Sequence, residues 1–225
     1  MMKRKSKTMA TSQSSVPPVL KGLKTDRTPR DYFLDMISVW EGGFQKYPED
    51  VGNWVTFPDG KRELIGTNMG VTPSALAFHR GVPPSRITEE DMKALTVEEA
   101  ADIGMKSYYE APGLDILPWT PGVEAVTDIG WGSGPVRGIK MLQQVCGTTT
   151  DGIIGPKTME AYRVFIETHG HERFLRDLHD LRADFYRQIV QNRPSNKIFL
   201  KGWLNRAKHY LPDNKAWWPK WKETE

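Results

Sequence analysis

Glu41 ends the run FLDMISVWE, residues 33–41, and Gly42-Gly43 follows it. Tyr32, Phe33, Met36, Ile37 and Trp40 recur at helical spacing, so the run reads as an amphipathic helix that the two glycines stop. A carboxylate at the C-terminal end of a helix lies against the negative pole of the backbone dipole. Such a group holds its proton longer than a freely solvated one, as a general acid must. Nine positions on, Asp50 stands in the loop FQKYPEDVGNW. Hydrolysis of a glycosidic bond usually takes two carboxyl groups. One protonates the leaving oxygen, and the other acts beside the sugar or on its attacking water. A carboxyl on a helix end and another on the facing loop would place the pair across a cleft. Alone, the spacing is weak in a chain with 28 acidic residues. Asp50 reads equally well as a turn cap, and Glu49 beside it is the alternative partner.

The elements that must hold these residues are mainly helical. Thr28, Pro29 and Asp31 have the types and spacing of an N-cap, N1 and N3, which opens the first helix. Thr72-Pro73, Thr88 with Asp91, and Thr96 with Glu99 open three more. The last of these launches VEEAADIGMKSYYE, and the Pro/Gly-rich break APGLDILPWTPG ends it. Beyond the break, VEAVTDIGWGSG and GPVRGIKMLQQVCG read as two buried helices, and Pro156 starts another that runs to Gly170. A long helix follows with Phe174, Leu178, Leu181, Phe185 and Ile189 on one stripe, and IFLKGWLNRAKHYL is the last. The exception is early. WVTF and RELI flank Pro58-Asp59-Gly60, which predicts a β-hairpin.

Composition sets outer bounds. The chain has 225 residues, 38% hydrophobic and 26% charged, which suits a soluble globular protein of one good-sized core or two lobes. No apolar run approaches the length of a membrane span. The start, MMKRKSKTMATSQSSVPPVL, lacks a continuous apolar stretch and does not read as a secretory signal, so a cytoplasmic origin is expected. The single cysteine, Cys146, excludes an internal disulfide and reads as a structural thiol. The net charge is +3, but residues 1–30 carry +7, which leaves −4 for the rest. The basic character belongs to a Ser/Thr/Pro-rich tail expected to be disordered, and it does not point to nucleic-acid binding. His169, His171 and His179 lack the spacing of a ligand set, so no metal site is expected.

The ordered pieces carry a resemblance. Glu41-Gly42-Gly43-Phe44, then Asp50-Val51-Gly52-Asn53, then Gly66-Thr67-Asn68-Met69-Gly70-Val71-Thr72 resemble glycoside hydrolase family 108, muramidases of lysozyme type. That family's helix end reads E-G-G-[FY], and its loop reads D-P-G-G-A-T-N-x-G-I-T. Further pieces are similar to the family's predicted peptidoglycan-binding region: Thr127 to Gly134, Leu142-Gln143-Gln144, Asp151 to Thr158, and Gly202 to Arg206. The likeness spans about residues 30–211 and leaves out both tails. It departs from the family pattern at one place. Roughly a dozen extra residues, the predicted hairpin, interrupt the loop between Asp50 and Thr67, and Asn53 stands where a second glycine is usual.

The resemblance implies a mainly α, lysozyme-like, two-lobed fold with the hairpin in its N-terminal lobe. The expected division is a basic tail (1–27), a catalytic lobe (28–115), a helical peptidoglycan-binding lobe (116–212) and a Trp-rich tail (213–225). It implies Glu41 as proton donor, with Asp50 and Thr67 ordering water or stabilising the cationic sugar. It also implies hydrolysis of the β-1,4 bond between N-acetylmuramic acid and N-acetylglucosamine, without a cofactor. Trp54 beside the loop, Asn68 within the motif and Asp128 in the second half are the expected substrate contacts; Asp128 reads also as a satisfied core carboxylate. The expected partner is the peptidoglycan glycan strand, acted on by a monomer that does not insert stably in a membrane. Stored in the cytosol and released through a pore, it would act as a phage-type endolysin. The alternative expectation is a peptidoglycan-binding or secretion-assisting protein with little hydrolysis. Trp217, Trp218 and Trp221 must either fold back on the body or meet a partner, since three exposed indoles are costly.

Overall fold

The computed structural model describes residues 23–25, 27–40 and 42–223; the basic segment 1–22 and Glu41 lie outside the described residues. The architecture is mainly α, with eight α-helices and two small antiparallel sheets among those residues. Helix α1 (Pro29–Trp40) begins as its sequence predicts. The Thr28 N–H donates to Asp31 Oδ2 at 2.8 Å, and the Asp31 N–H donates to Thr28 Oγ1 at 3.1 Å. Two otherwise orphaned amide donors are satisfied there. Tyr32, Phe33, Met36 and Ile37 are buried, as the helical spacing requires.

After α1 the chain runs through a polar loop into the hairpin of β2 (Trp54–Thr56) and β3 (Arg62–Leu64). Trp54 pairs with Leu64, Val55 with Glu63 and Thr56 with Arg62. The turn is closed by Asp59 Oδ1, which accepts from the Lys61 N–H at 2.9 Å, and by Gly60 at φ +83°. Three capped helices follow: α2 (Pro73–Arg80), α3 (Glu89–Lys93) and α4 (Val97–Gly104), with Thr72, Thr88 and Thr96 as their N-caps. The helix expected from Val97 to Glu110 widens at Met105 into a π-helical stretch, Met105–Glu110, which the apolar pattern does not signal.

Helix α1 packs on α4 so closely that a Cβ on Gly104 would fall 2.4 Å from Phe33 Cδ1. Ten consecutive residues of α5 (Pro121–Ser133), from Pro121 to Gly130, are buried. It packs on α6 (Pro135–Val145), on α7 (Pro156–Asn192) and on the π-helical stretch. Helix α7 breaks at Gly170, whose φ of +79° is one that L side chains avoid, so the two helices expected on either side of this glycine meet at a kink. Helix α8 (Lys197–His209) packs against α7. The C-terminal segment then crosses back. Strand β4 (Lys222–Glu223) pairs with β1 (Leu23–Lys24), and Trp217 and Trp221 enter the core. No helix among the described residues is long and apolar enough to cross a membrane.

Candidate active site

The loop after α1 is organised around Gln45. Its side-chain amide donates to Asp50 Oδ2 at 3.0 Å and to Asn53 Oδ1 at 3.1 Å. Its carbonyl oxygen accepts from Asn53 Nδ2 at 2.8 Å and from the Tyr47 N–H at 3.0 Å. Asn53 is fully buried and also donates to the Tyr47 carbonyl at 2.9 Å. Asp50 is exposed and caps the short turn Val51–Asn53, where its Oδ1 accepts from the Gly52 N–H at 2.9 Å. Two readings of Asp50 thus meet in one side chain, since the turn cap is also a solvent-facing carboxylate fixed by a neighbour.

Thr67 joins the same cluster through its backbone. Its N–H donates to the Gln45 carbonyl at 2.9 Å, and its carbonyl accepts from the Gln45 N–H at 2.8 Å. The Thr67 side chain is 7% exposed, and its hydroxyl has no hydrogen-bond partner among the described residues. The interrupting hairpin does not carry Thr67 away. The Asn53 carbonyl accepts from the N–H groups of Ile65 and Gly66 at 2.8 and 3.0 Å, so the chain returns to its point of departure. Gly66 makes the closure possible. At φ +102°, any Cβ there would lie 2.7 Å from Phe44 Cζ and 2.8 Å from the Gln45 carbonyl oxygen. Asp50 and Thr67 are therefore tied to one residue, Gln45, by its side chain and its backbone respectively. Glu41 lies outside the described residues, four positions before Gln45.

The expected substrate contacts separate. Trp54 is half-buried beside Asp50; its indole N–H donates to the Pro48 carbonyl at 2.9 Å, and the Arg62 guanidinium lies 4.9 Å from the ring centroid. Asn68 is buried, and its amide donates to the Met92 carbonyl at 2.8 Å, which ties the Gly66–Thr72 segment to α3. That bond directs its donor into the protein, so the Asn68 amide serves to hold this segment in place. For Asp128 the expected substrate contact is corrected. It is fully buried on α5, bonded to Arg182 Nη2 at 2.6 Å, Arg206 Nη2 at 2.9 Å and the Tyr32 hydroxyl at 3.1 Å. Burial alone would raise its pKa, but Arg206 and Arg182 reverse that and hold the carboxyl well below the usual range. It is the core carboxylate, with no surface for substrate.

A second cluster of charge lies around Glu124, 1% exposed. Its Oε1 accepts from Arg27 Nη1 at 2.8 Å and from the Trp217 indole at 2.9 Å. Neither Gln45, the hub of the loop, nor Glu124 carries a signal in the sequence. A loop glutamine has no periodicity to mark it, and a glutamate inside an apolar helical run reads as a surface position. A cavity of about 670 Å³ lies elsewhere, between the end of α6 and the first half of α7, lined among others by Cys146, Lys157, Val164 and His169. Burial pushes the Cys146 thiol up to about 12, which suits the structural role expected for it.

The sequence profile of the glycosyl hydrolase 108 family matches residues 34–134, which include Asp50, Trp54, Thr67, Asn68 and Asp128. A profile described as a predicted peptidoglycan domain matches residues 137–208. The solved structure of Brucella abortus SagA is similar over 83% of this chain and 95% of its own, with 30% identity and a TM-score of 0.62. No curated protein matches the sequence significantly. The two profiles meet at the Gly134 turn between α5 and α6, and together with a relative of 30% identity covered almost end to end they place this chain in the glycosyl hydrolase 108 family.

Proposed function

We propose that the protein is a muramidase, hydrolysing the β-1,4 bond between N-acetylmuramic acid and N-acetylglucosamine in peptidoglycan. The single observation that carries this reading is the Gln45 cluster, which ties a solvent-facing carboxylate on one loop to a threonine on the segment that returns from the hairpin. In this reading Glu41 protonates the leaving oxygen, while Asp50 and Thr67 order the attacking water or stabilise the positive charge on the sugar ring. Their task is complete with side chains alone. The helical region that matches the predicted peptidoglycan domain would retain the polymer while the loop acts on it.

The test is muropeptide release from purified peptidoglycan by wild type and Glu41→Gln, both confirmed as folded by circular dichroism. Wild type is expected to create new reducing ends at muramic acid. Glu41→Gln is expected to fall by about a hundredfold or more, the usual contribution of a positioned proton donor. Reducing ends at N-acetylglucosamine would reassign the bond, and full activity of Glu41→Gln would remove the acid from the mechanism. An endolysin role belongs to the same proposal. Expressed in the cytoplasm with a pore-forming partner the protein should lyse cells, whereas expressed alone it should not.

One observation favours a second reading, a wall-binding protein with little hydrolysis. Both oxygens of Asp50 already accept a bond from within the loop, as they would in a purely structural cap. Retention on peptidoglycan by wild type and Glu41→Gln alike, with no reducing ends from either, would establish it.

A further inference from the structure

We infer that Arg62 determines specificity for strands that carry peptide stems, by binding a stem carboxylate; the inference rests on the muramidase reading. The hairpin that presents it is an excursion from an already closed loop. Ile65 and Gly66 both donate to the Asn53 carbonyl at its base, so the loop closes independently of residues 54–64. What they add is a surface. Val55 is buried, which turns its face of the hairpin inward. Alternation along each strand then places Trp54, Thr56, Arg62 and Leu64 on the opposite face; Glu63, paired with Val55, is itself exposed.

That outer face adjoins the candidate active site. The Trp54 indole is anchored to the carbonyl of Pro48, two residues before Asp50, so the ring continues the surface of the Asp50 loop. Arg62 lies over this ring at 4.9 Å, and its side chain is exposed. This cation–π contact restrains the long side chain, while its N–H donors make no hydrogen bond among the described residues. Arg62, like Arg137 over Phe185, pairs with no carboxylate among the described residues, and it is the one carried on the hairpin face beside Asp50. Lys61, next to it at the turn, is exposed as well. A preordered, unpaired guanidinium fork matches a carboxylate through two parallel hydrogen bonds. Beside a site that takes a muramic acid chain, the carboxylates within reach hang from the lactyl side chain of that sugar. They belong to the peptide stem, or to the lactyl group itself where the stem has been removed. The exposed face stands out from the loop, which favours the stem.

The experiment compares kcat and KM of wild type and Arg62→Met on two soluble substrates: glycan strands with intact stems, and the same strands stripped of stems by an amidase. Methionine keeps an apolar chain over Trp54 and removes the charge. Wild type is expected to prefer the stem-bearing strands. In Arg62→Met that preference is expected to fall about tenfold through KM with kcat nearly constant, the size of one charge-assisted contact. Arg62→Lys, which keeps charge without the fork, should recover part of it. An unmoved preference in an active Arg62→Met enzyme overturns this inference alone. A loss confined to stripped strands also overturns it, by assigning the ligand as the lactyl carboxylate. Wild type inert on both substrates overturns the muramidase reading and this inference with it.

Discussion

Both carboxylate oxygens of Asp50 carry a hydrogen bond, one from the Gly52 backbone and one from Gln45, and the two bonds respond differently to substitution. In Asp50→Asn the side-chain oxygen still caps the turn, while the new amide opposes the Gln45 amide. Gln45 cannot flip to relieve this without losing the bonds its oxygen accepts from Asn53 and Tyr47. The expected cost in stability is about 1 kcal/mol. The expected cost in muropeptide release is about a hundredfold if Asp50 handles the water. Urea unfolding set beside kcat separates the two, and a parallel modest loss in both would reduce Asp50 to a cap. Gln45→Leu should destabilise more, by roughly 2 kcal/mol, because it strips two bonds from the fully buried Asn53. Asp50 and Thr67 were visible in the sequence as fixed points of a motif. Gln45 was not, because its importance comes from four partners that only the folded loop assembles.

At the scale of elements, caps and turns were the most legible features, since each is written in two or three adjacent residues. Thr28-Asp31, Thr72 and Thr88-Asp91 open helices as their side-chain chemistry requires, and Pro58-Asp59-Gly60 closes the hairpin. Apolar stripes were less complete. On the second half of α7 the apolar stripe of Leu181, Phe185 and Ile189 is only half-buried, and the residues most deeply buried there include Arg182 and Tyr186. A pattern of apolar residues cannot register an arginine whose place inside depends on Asp128, 54 positions earlier. The dependence is mutual, and it makes a prediction. Asp128→Asn leaves Arg182, with a side chain 3% exposed, without its counter-charge. Breaking a buried pair in this way costs roughly 3–5 kcal/mol, so the variant should unfold at much lower urea. Asp128→Asn with Arg182→Met should recover part of the loss, although Arg206 would still lose its ion pair with Asp128.

Over the whole molecule, the two ends of the described chain meet on α1 and α5. Strand β1 pairs with β4, Arg27 joins Asp35 on α1 to Glu124 on α5, and Lys220 also reaches Asp35. Trp217 fills the core between them, wholly buried, with its indole on Glu124. The tryptophans therefore fold back, which composition alone left open. Trp217→Ala should cost about 3–5 kcal/mol. It should also loosen the helix whose end leads to Glu41, so activity should fall at temperatures where most of the protein remains folded. Charge makes the same body sensitive to acid in a definite window. His171, just past the kink in α7, is buried with neither ring nitrogen bonded among the described residues, and burial lowers its pKa from 6.5 to about 4. The folded state thus binds fewer protons than the unfolded chain between these values. Its contribution is fully present above pH 6.5, declines as pH falls, and is lost below about 4, on the order of 3 kcal/mol in all. Asp128, held low by its arginines, loses its contribution only in stronger acid, below the ordinary carboxylate range. Glu124 has the opposite sign: burial raises its pKa in spite of Arg27 and Trp217, so its share of stability grows as pH falls. It opposes His171 from its raised folded value down through the ordinary carboxylate range, so the decline that begins near pH 6.5 should be shallower than His171 alone would make it. His171→Leu removes the titrating ring and keeps the apolar burial. Its urea midpoint, followed from pH 7 to pH 4, should fall less than that of wild type; equal slopes for the two proteins would show that other groups set the acid limit.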